Sequence, residues 1–336
     1  MRWLRKLLLP FSLIYGLVLR IRHFAYDVGV FPSASFPFPV ICVGNLRVGG
    51  TGKTPMTEYL ATSLKEHHKT AILSRGYGRK TSGFLVACSG MGVRELGDEP
   101  FQYARKLKGV TVAVDENRKR GISRLRDTAD IEVVILDDAL QHRKVAPGLS
   151  MLLTAYGDLY VDDMLLPAGN LRDLKYRASA ADLLVVTKCP ADLTASQMKE
   201  LKSRLKPEGK QQIFFTTIEY SDYTGGAEIV ALETLKQKQL VLITGIADPS
   251  PLVRYLQSSG FDFMHKAYAD HHEFSEKEIR LFQTYRDSGK VLLTTEKDYT
   301  RLSEKIEGVL YLPIRIGFLE DQQGFENRIN EFVTQQ

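Results

Sequence analysis

Residues 47–54 read Arg-Val-Gly-Gly-Thr-Gly-Lys-Thr, a run whose residue types and spacing suit phosphate chemistry. Glycines at 49, 50 and 52 free the backbone to turn its N–H groups onto a phosphate chain. Lys53 supplies positive charge for the β- and γ-phosphates, and the Thr54 hydroxyl supplies a ligand for Mg2+. The strict phosphate-loop pattern has glycine where this chain has Arg47. The nucleotide-binding set is therefore expected to be Gly49, Gly50, Thr51, Gly52, Lys53, Thr54 and Pro55. Its partner is Val133–Asp138 (VVILDD), an apolar strand that ends in carboxylates. Such a strand brings an acid beside the metal, with Asp137 the first choice and Asp138 next to it. A guanine site would carry [NT]-K-x-D. Thr187–Pro190 starts that way but lacks the Asp, and Thr295–Asp298 has the wrong spacing, so ATP is preferred to GTP. On residue types alone, Gly97–Pro100 (GDEP) reads as a helix start with acids in its first turn, and His271 with His272 as a solvated loop pair.

A phosphate loop works only between a strand and a helix. Val40–Asn45 (VICVGN) precedes it as a short apolar run, and helix-forming residues follow from Lys53 to about His67. Further apolar runs recur at Thr70–Leu73, Leu85–Ala87, Val110–Val114, Val133–Leu136, Met151–Leu153 and Leu183–Val186, with helical stretches between several of them. This alternation predicts a mainly parallel sheet covered by helices. Gln212–Tyr220 predicts a strand near a lobe junction, with Gly225–Ala227 as a hinge. A second series follows: strands at Leu240–Gly245, Phe261–Lys266 and Val291–Thr295, with helices over Pro251–Ser258 and Ser275–Arg286. Gly308–Ile316 and a last helix from about Phe325 close the chain.

The chain has 336 residues, more than one compact core usually takes. Its formal net charge is +5, and most of that lies in residues 1–30, where Arg2, Arg5, Lys6, Arg20 and Arg22 face Asp27 alone. The body is nearly neutral with no basic stripe, which argues against a nucleic-acid partner. A basic, apolar end suits an anionic membrane surface. Leu7–Leu19 is an apolar run interrupted by Pro10 and too short to span a bilayer. Arg20 and Arg22 follow with no small-residue cleavage site, so it reads as an interfacial helix rather than a signal peptide; an ordinary packed helix is the alternative. Cys42, Cys88 and Cys189 are scattered and odd in number, pointing to a reducing compartment and no disulfide framework.

The sequence resembles the tetraacyldisaccharide 4'-kinase family. The resemblance is carried by Val43–Pro55 (VGNLRVGGTGKTP), Leu73–Gly78 (LSRGYG), GDEP, Leu136–Arg143 (LDDALQHR), Leu166–Arg172 (LPAGNLR), Asp270–Phe274 (DHHEF) and Thr294–Asp298 (TTEKD), in the family's order. Ala139 departs from it, standing where a glycine is expected. The resemblance implies an α/β fold, with a phosphate-loop NTPase-type parallel sheet bearing helices on both faces, a smaller C-terminal α/β lobe and an N-terminal membrane-associated helix. The expected division is 1–30, 31–225 and 226–336. The implied reaction moves the γ-phosphate of ATP, with Mg2+, to the 4'-hydroxyl of a tetraacyldisaccharide 1-phosphate in lipid A biosynthesis, on the cytoplasmic face of the inner membrane. Asp98 and His271 are implied to act together on the acceptor hydroxyl with Lys53 on the phosphates, and Glu99 joins Thr54, Asp137 and Asp138 as a metal ligand. Arg75, Arg118, His142, Asn170 and Arg172 are implied to bind the acceptor. No protein partner is required. A membrane-recruited ATPase switch is the competing reading, and it leaves GDEP and DHHEF without a task.

Overall fold

The structure, a computed structural model, describes residues 5–335. Strands β1 (Val40–Gly44), β2 (Thr70–Ser74), β3 (Leu85–Val86), β4 (Thr111–Val114), β5 (Val133–Asp137), β6 (Leu149–Ala155), β7 (Leu183–Thr187) and β8 (Gln212–Tyr220) build the larger sheet. Their apolar runs are the mark of strands covered on both faces: β1, β2, β5, β6 and β7 are buried along their whole length. The second sheet takes β9 (Gly225–Gly226), β10 (Leu240–Thr244), β11 (Phe263–Ala267), β12 (Val291–Thr295) and β13 (Val309–Leu312), in the order β11-β10-β12-β13-β9.

β14 (Ile314–Phe318) then returns to the larger sheet and pairs antiparallel with β8, giving the order β14-β8-β7-β6-β1-β5-β2-β4-β3. The closing segment read over 308–316 thus contributes to two strands in two sheets. Pro313 lies between them, without the N–H that would continue a ladder. The last helix, Gln322–Thr334, puts Phe325, Ile329, Phe332 and Val333 into the core of the larger sheet beside Met56, Leu60 and Leu64 of helix Lys53–Leu64. The sheet pairings therefore place residues 314–334 with the first lobe, not in the 226–336 unit read from the sequence. Nor do Gly225 and Gly226 stand free as a hinge: they form an edge strand on β13, where a Cβ on Gly226 would lie 2.6 Å from the Val309 carbonyl oxygen.

β1 sits centrally, flanked in parallel by β5 and β6. From β1 the chain passes to β2 on the β5 side, and after β5 it crosses to β6 on the other side, so the strand order switches at β1 and the crevice beyond its carboxyl end is where open α/β sheets bind ligands. The loop 45–52 and the end of β5 open there.

The N-terminal helix is longer than the apolar run suggested. A 3-10 turn, Lys6–Leu8, leads into a helix over Leu9–Asp27. Pro10 falls in the first turn, where its missing N–H has no helical partner to lose, so it starts the helix instead of breaking it. Together they make 22 residues long and apolar enough to cross a membrane. One face is packed on the body through Ser12, Gly16, Leu19 and His23, while Phe11, Leu13, Ile14, Leu17, Val18, Ile21 and Phe24 are exposed.

Candidate active site

The phosphate loop leaves β1 and ends at Gly52, which caps helix Lys53–Leu64 in the left-handed region at φ +83°. A side chain there would be strained, so glycine lets the loop turn directly into the helix N-terminus. The loop is tied down at Thr51: Asn45 Nδ2 donates to its hydroxyl at 2.6 Å, and the Thr187 hydroxyl donates to its carbonyl at 2.8 Å. Arg47, the departure from the strict pattern, is buried and pairs with Asp158 and Asp163, anchoring the loop away from the phosphates.

Two consecutive carboxylates, Asp137 and Asp138, stand at the carboxyl end of β5, the parallel neighbour of the strand that leads into this loop. Asp137, at the end of β5, is pushed up to about 7 by its burial, then by the charges of Asp138 and Glu99. Ser74 donates to it at 3.2 Å. Asp138 follows at φ +51°, a conformation Asp tolerates better than most residues. Burial works against its charge, but Lys53 and Arg172 hold it below the usual carboxylate range. The Arg172 guanidinium grips both its oxygens, and Lys53 Nζ lies 3.8 Å away. Asp138 is therefore taken by cations of the protein, whereas Asp137 makes no ion pair among the described residues, and its burial together with Asp138 and Glu99 outweighs Lys53 and Arg118.

Asp98 opens helix Asp98–Lys106. Gly97 precedes it at φ +88°, and a Cβ there would stand 2.7 Å from the Tyr77 carbonyl oxygen, so the GDEP glycine is needed for this approach. From the other lobe, His271 Nδ1 reaches Asp98 Oδ2 at 2.8 Å. His271 sits at φ +57°, a left-handed conformation that costs a non-glycine residue about 1–2 kcal/mol and that clusters at functional sites. Burial alone would raise the Asp98 carboxyl, but the His271 hydrogen bond and the Arg301 guanidinium, 3.6 Å away, hold it below its ordinary value. Lys297 Nζ lies 3.0 Å from His271 Nε2, 3.5 Å from Glu99 and 3.3 Å from Asp270.

The other expected residues divide. Arg118 is buried and donates to the carbonyls of Asp115 at 2.6 Å and Asp137 at 3.3 Å, so it shapes the end of β5. Burial, then Arg118 and Arg75, push His142 down to about 4, which keeps it a neutral imidazole. Arg75 is exposed at the end of β2. Asn170 accepts from Arg5 at 3.0 Å, at the base of the N-terminal helix.

The family model for the tetraacyldisaccharide-1-P 4'-kinase, LpxK, matches residues 4–334. A relative from Flavobacterium johnsoniae named tetraacyldisaccharide 4'-kinase is 44% identical, covering 100% of this chain and 99% of that one. One from Bacteroides thetaiotaomicron with the same name is 41% identical, covering 99% and 94%. This chain belongs to the tetraacyldisaccharide 4'-kinase family. A solved member, LpxK from Aquifex aeolicus in its "apo" form in complex with ATP, superposes with a TM-score of 0.79 at 31% identity, covering 98% of this chain and 99% of that chain.

Four residues that the structure brings to this cleft are not singled out by the sequence reading: Asn45, Gln141, Lys297 and Arg301. The first three lie inside segments that carried the resemblance, VGN, LQHR and TTEKD. Arg301 lies outside any such segment, and only the fold brings it to Asp98.

Proposed function

We propose that this chain transfers the γ-phosphate of ATP to the 4'-hydroxyl of a tetraacylated disaccharide 1-phosphate. Asp98 is the group that takes the proton from that hydroxyl. The observation that supports this best is the Asp98–His271 pair, one residue from each lobe, 2.8 Å apart. A sugar hydroxyl is a weak nucleophile, and an ionised carboxylate within reach accepts its proton as the new P–O bond forms. His271, holding Oδ2, leaves Oδ1 to face the acceptor. Lys53 and the N–H groups of residues 49–54 neutralise charge on the transferring phosphoryl group.

The donor set fits Mg2+. Thr54, Asp137 and Glu99 offer hard oxygen ligands, and Asp137 is buried without an ion pair among the described residues, with Asp138 and Glu99 adding negative charge that a cation would relieve. No metal-binding group of three or more His, Cys, Asp or Glu occurs among the described residues. Mg2+ in nucleotide sites is held by one or two carboxylates plus the nucleotide's own oxygens. When bound, Mg2+ supplies charge stabilisation on the phosphates. Asp138 orients Lys53 and Arg172 rather than binding metal. Arg75 is exposed and suits the acceptor's 1-phosphate, with the neutral His142 imidazole as a hydrogen-bonding neighbour, while Arg118 is buried on the Asp115 and Asp137 carbonyls and supports that edge from within.

The apolar outward face of helix Leu9–Asp27 meets the acyl layer from the cytoplasmic side of the inner membrane, where ATP is available. A membrane-recruited ATPase switch would leave the cross-lobe Asp98–His271 pair idle. The reaction is tested by phosphorus NMR of the lipid after incubation with MgATP. A second phosphomonoester at the 4'-position supports the proposal; ADP formation without it, at equal rates with and without acceptor, would return the switch reading to first place.

A further inference from the structure

The inward face of helix Leu9–Asp27 is bonded to the segments that build the phosphate site. Ser12 Oγ donates to the Leu165 carbonyl and accepts from the Ala168 N–H, each at 3.0 Å. The Tyr15 hydroxyl donates to the Arg172 carbonyl at 2.9 Å. Arg22 donates to the Gln141 carbonyl at 2.8 Å. His23 Nε2 lies 2.6 Å from Asp173 Oδ1, with both side chains shut away from solvent. Gly16 lets the helix come close, since a Cβ there would stand 2.9 Å from Leu165 Cδ1.

These contacts continue to the nucleotide loop without a gap. Arg172, whose backbone Tyr15 holds, places its guanidinium on Asp138 and on Asn45 Oδ1. Asn45 in turn donates to Thr51 in the phosphate loop at 2.6 Å. Gln141, whose carbonyl Arg22 holds, donates to the Asn45 carbonyl at 2.6 Å. Asp138 completes the path to Lys53 at 3.8 Å.

A membrane anchor needs only its outward face. It has no use for a buried acid–imidazole pair, which is costly to leave half made because the remaining partner keeps no water to bond. Nor does it need hydrogen bonds aimed at the backbone of the residues that carry Arg172 and Gln141. Supporting contacts of that kind are what hold a functional side chain in one geometry.

We propose that helix Leu9–Asp27 is a working part of the phosphate site, with Tyr15 and His23 as positioning residues that set Arg172 against Asp138 and Asn45. This rests on the reading that residues 49–55 hold ATP. Seating of the helix in a lipid surface and handling of the nucleotide are then linked through one hydrogen-bonded path.

The test uses the full chain in detergent, with neither acceptor nor vesicles, titrated with N-methylanthraniloyl-ATP and Mg2+. The variants are Tyr15→Phe, which removes one hydroxyl, His23→Leu, which removes the donor to Asp173, and His23→Gln, whose amide nitrogen can replace imidazole Nε2. Turnover with the lipid acceptor, melting temperature and sedimentation with phosphatidylethanolamine–phosphatidylglycerol vesicles are read beside it. Tyr15→Phe should weaken nucleotide binding or lower kcat about fivefold, the effect of one hydrogen bond, with acceptor KM and vesicle sedimentation unchanged. His23→Leu should lose more, about tenfold, and His23→Gln should recover most of it. Wild-type nucleotide binding and kcat in both Tyr15→Phe and His23→Leu, with changes confined to melting or sedimentation, would overturn the proposal. If His23→Leu does not fold, Tyr15→Phe decides on the same readouts. Wild-type protein that binds no nucleotide would sink the phosphate-loop reading and this inference with it.

Discussion

The two halves of the cleft are built in different ways. The phosphate-contacting part of the donor half is nearly continuous in sequence: β1, the loop 45–52 and helix Lys53–Leu64 follow one another, and the end of β5, Gln141, Arg172 and Thr187 support them from elsewhere. The acceptor half is assembled. Asp98 comes from a helix on the larger sheet, and His271, Lys297 and Arg301 come from the second lobe. The continuous part needs one strand–loop–helix unit and its supports, whereas the assembled part needs the two lobes held together, so nucleotide binding and acceptor activation are expected to respond to different substitutions.

Lys106 helps hold them together. It lies 2.7 Å from Glu58, on the helix after the phosphate loop, and 2.8 Å from Glu296, in the second lobe. Its own helix carries Asp98, and the helix beginning at Glu296 carries Lys297 and Arg301. Arg105 adds to the seam, bonding the Ser303 hydroxyl at 3.1 Å and lying over the Tyr299 ring at 5.2 Å.

The comparison can be broken from either side. Lys53→Met should lower transfer by about 10³-fold, the upper range for losing a preorganised charge at a transition state. It should also weaken ATP binding in a nucleotide titration, because the donor half is damaged for both. His271→Ala should lower kcat by about 10²-fold while leaving ATP affinity as it is. A comparable loss of ATP affinity would mean that the halves are not separable. Lys297→Met is expected to cost about tenfold in kcat, since it bears on the reaction through His271 and Glu99; unchanged kcat would reduce it to a surface ion pair.

The smallest effect concerns the seam. Burial, then the charge of Glu58, push Glu296 up to about 7 from an ordinary 4.5. An acid whose folded value lies above its unfolded value favours the fold while protonated. That contribution is complete below about 4.5 and is lost as the pH climbs through about 7. Glu296→Gln should therefore flatten the dependence of melting temperature on pH between 5 and 8. A melting profile as steep as that of the wild type would remove Glu296 from the account.

The donor half was legible because its chemistry is local. Gly49, Gly50, Gly52, Lys53 and Thr54 are recognisable from spacing alone, and the apolar runs around them behave as parallel strands must. The acceptor half was legible only through the family resemblance, since GDEP and DHHEF read alone as a helix start and a loop. What escaped was set by long-range partners. Asp138 reads like Asp137 in sequence, but its oxygens are taken by Arg172, 34 positions further along. The return of β14 to the larger sheet depends on pairing with β8, across nearly a hundred residues, for which Ile314–Phe318 carries no local mark. Gly225–Gly226 looks like a hinge by composition and is an edge strand because β13 passes beside it.

The most direct test of the central claim is label transfer from γ-labelled ATP to the tetraacyl disaccharide 1-phosphate in detergent micelles, comparing wild type with Asp98→Ala at matched nucleotide occupancy. The account predicts a labelled lipid with wild type and a loss of about 10³-fold in the variant, with ATP still bound. Near-wild-type labelling by Asp98→Ala would contradict it, since no carboxylate would then be needed where the two lobes meet.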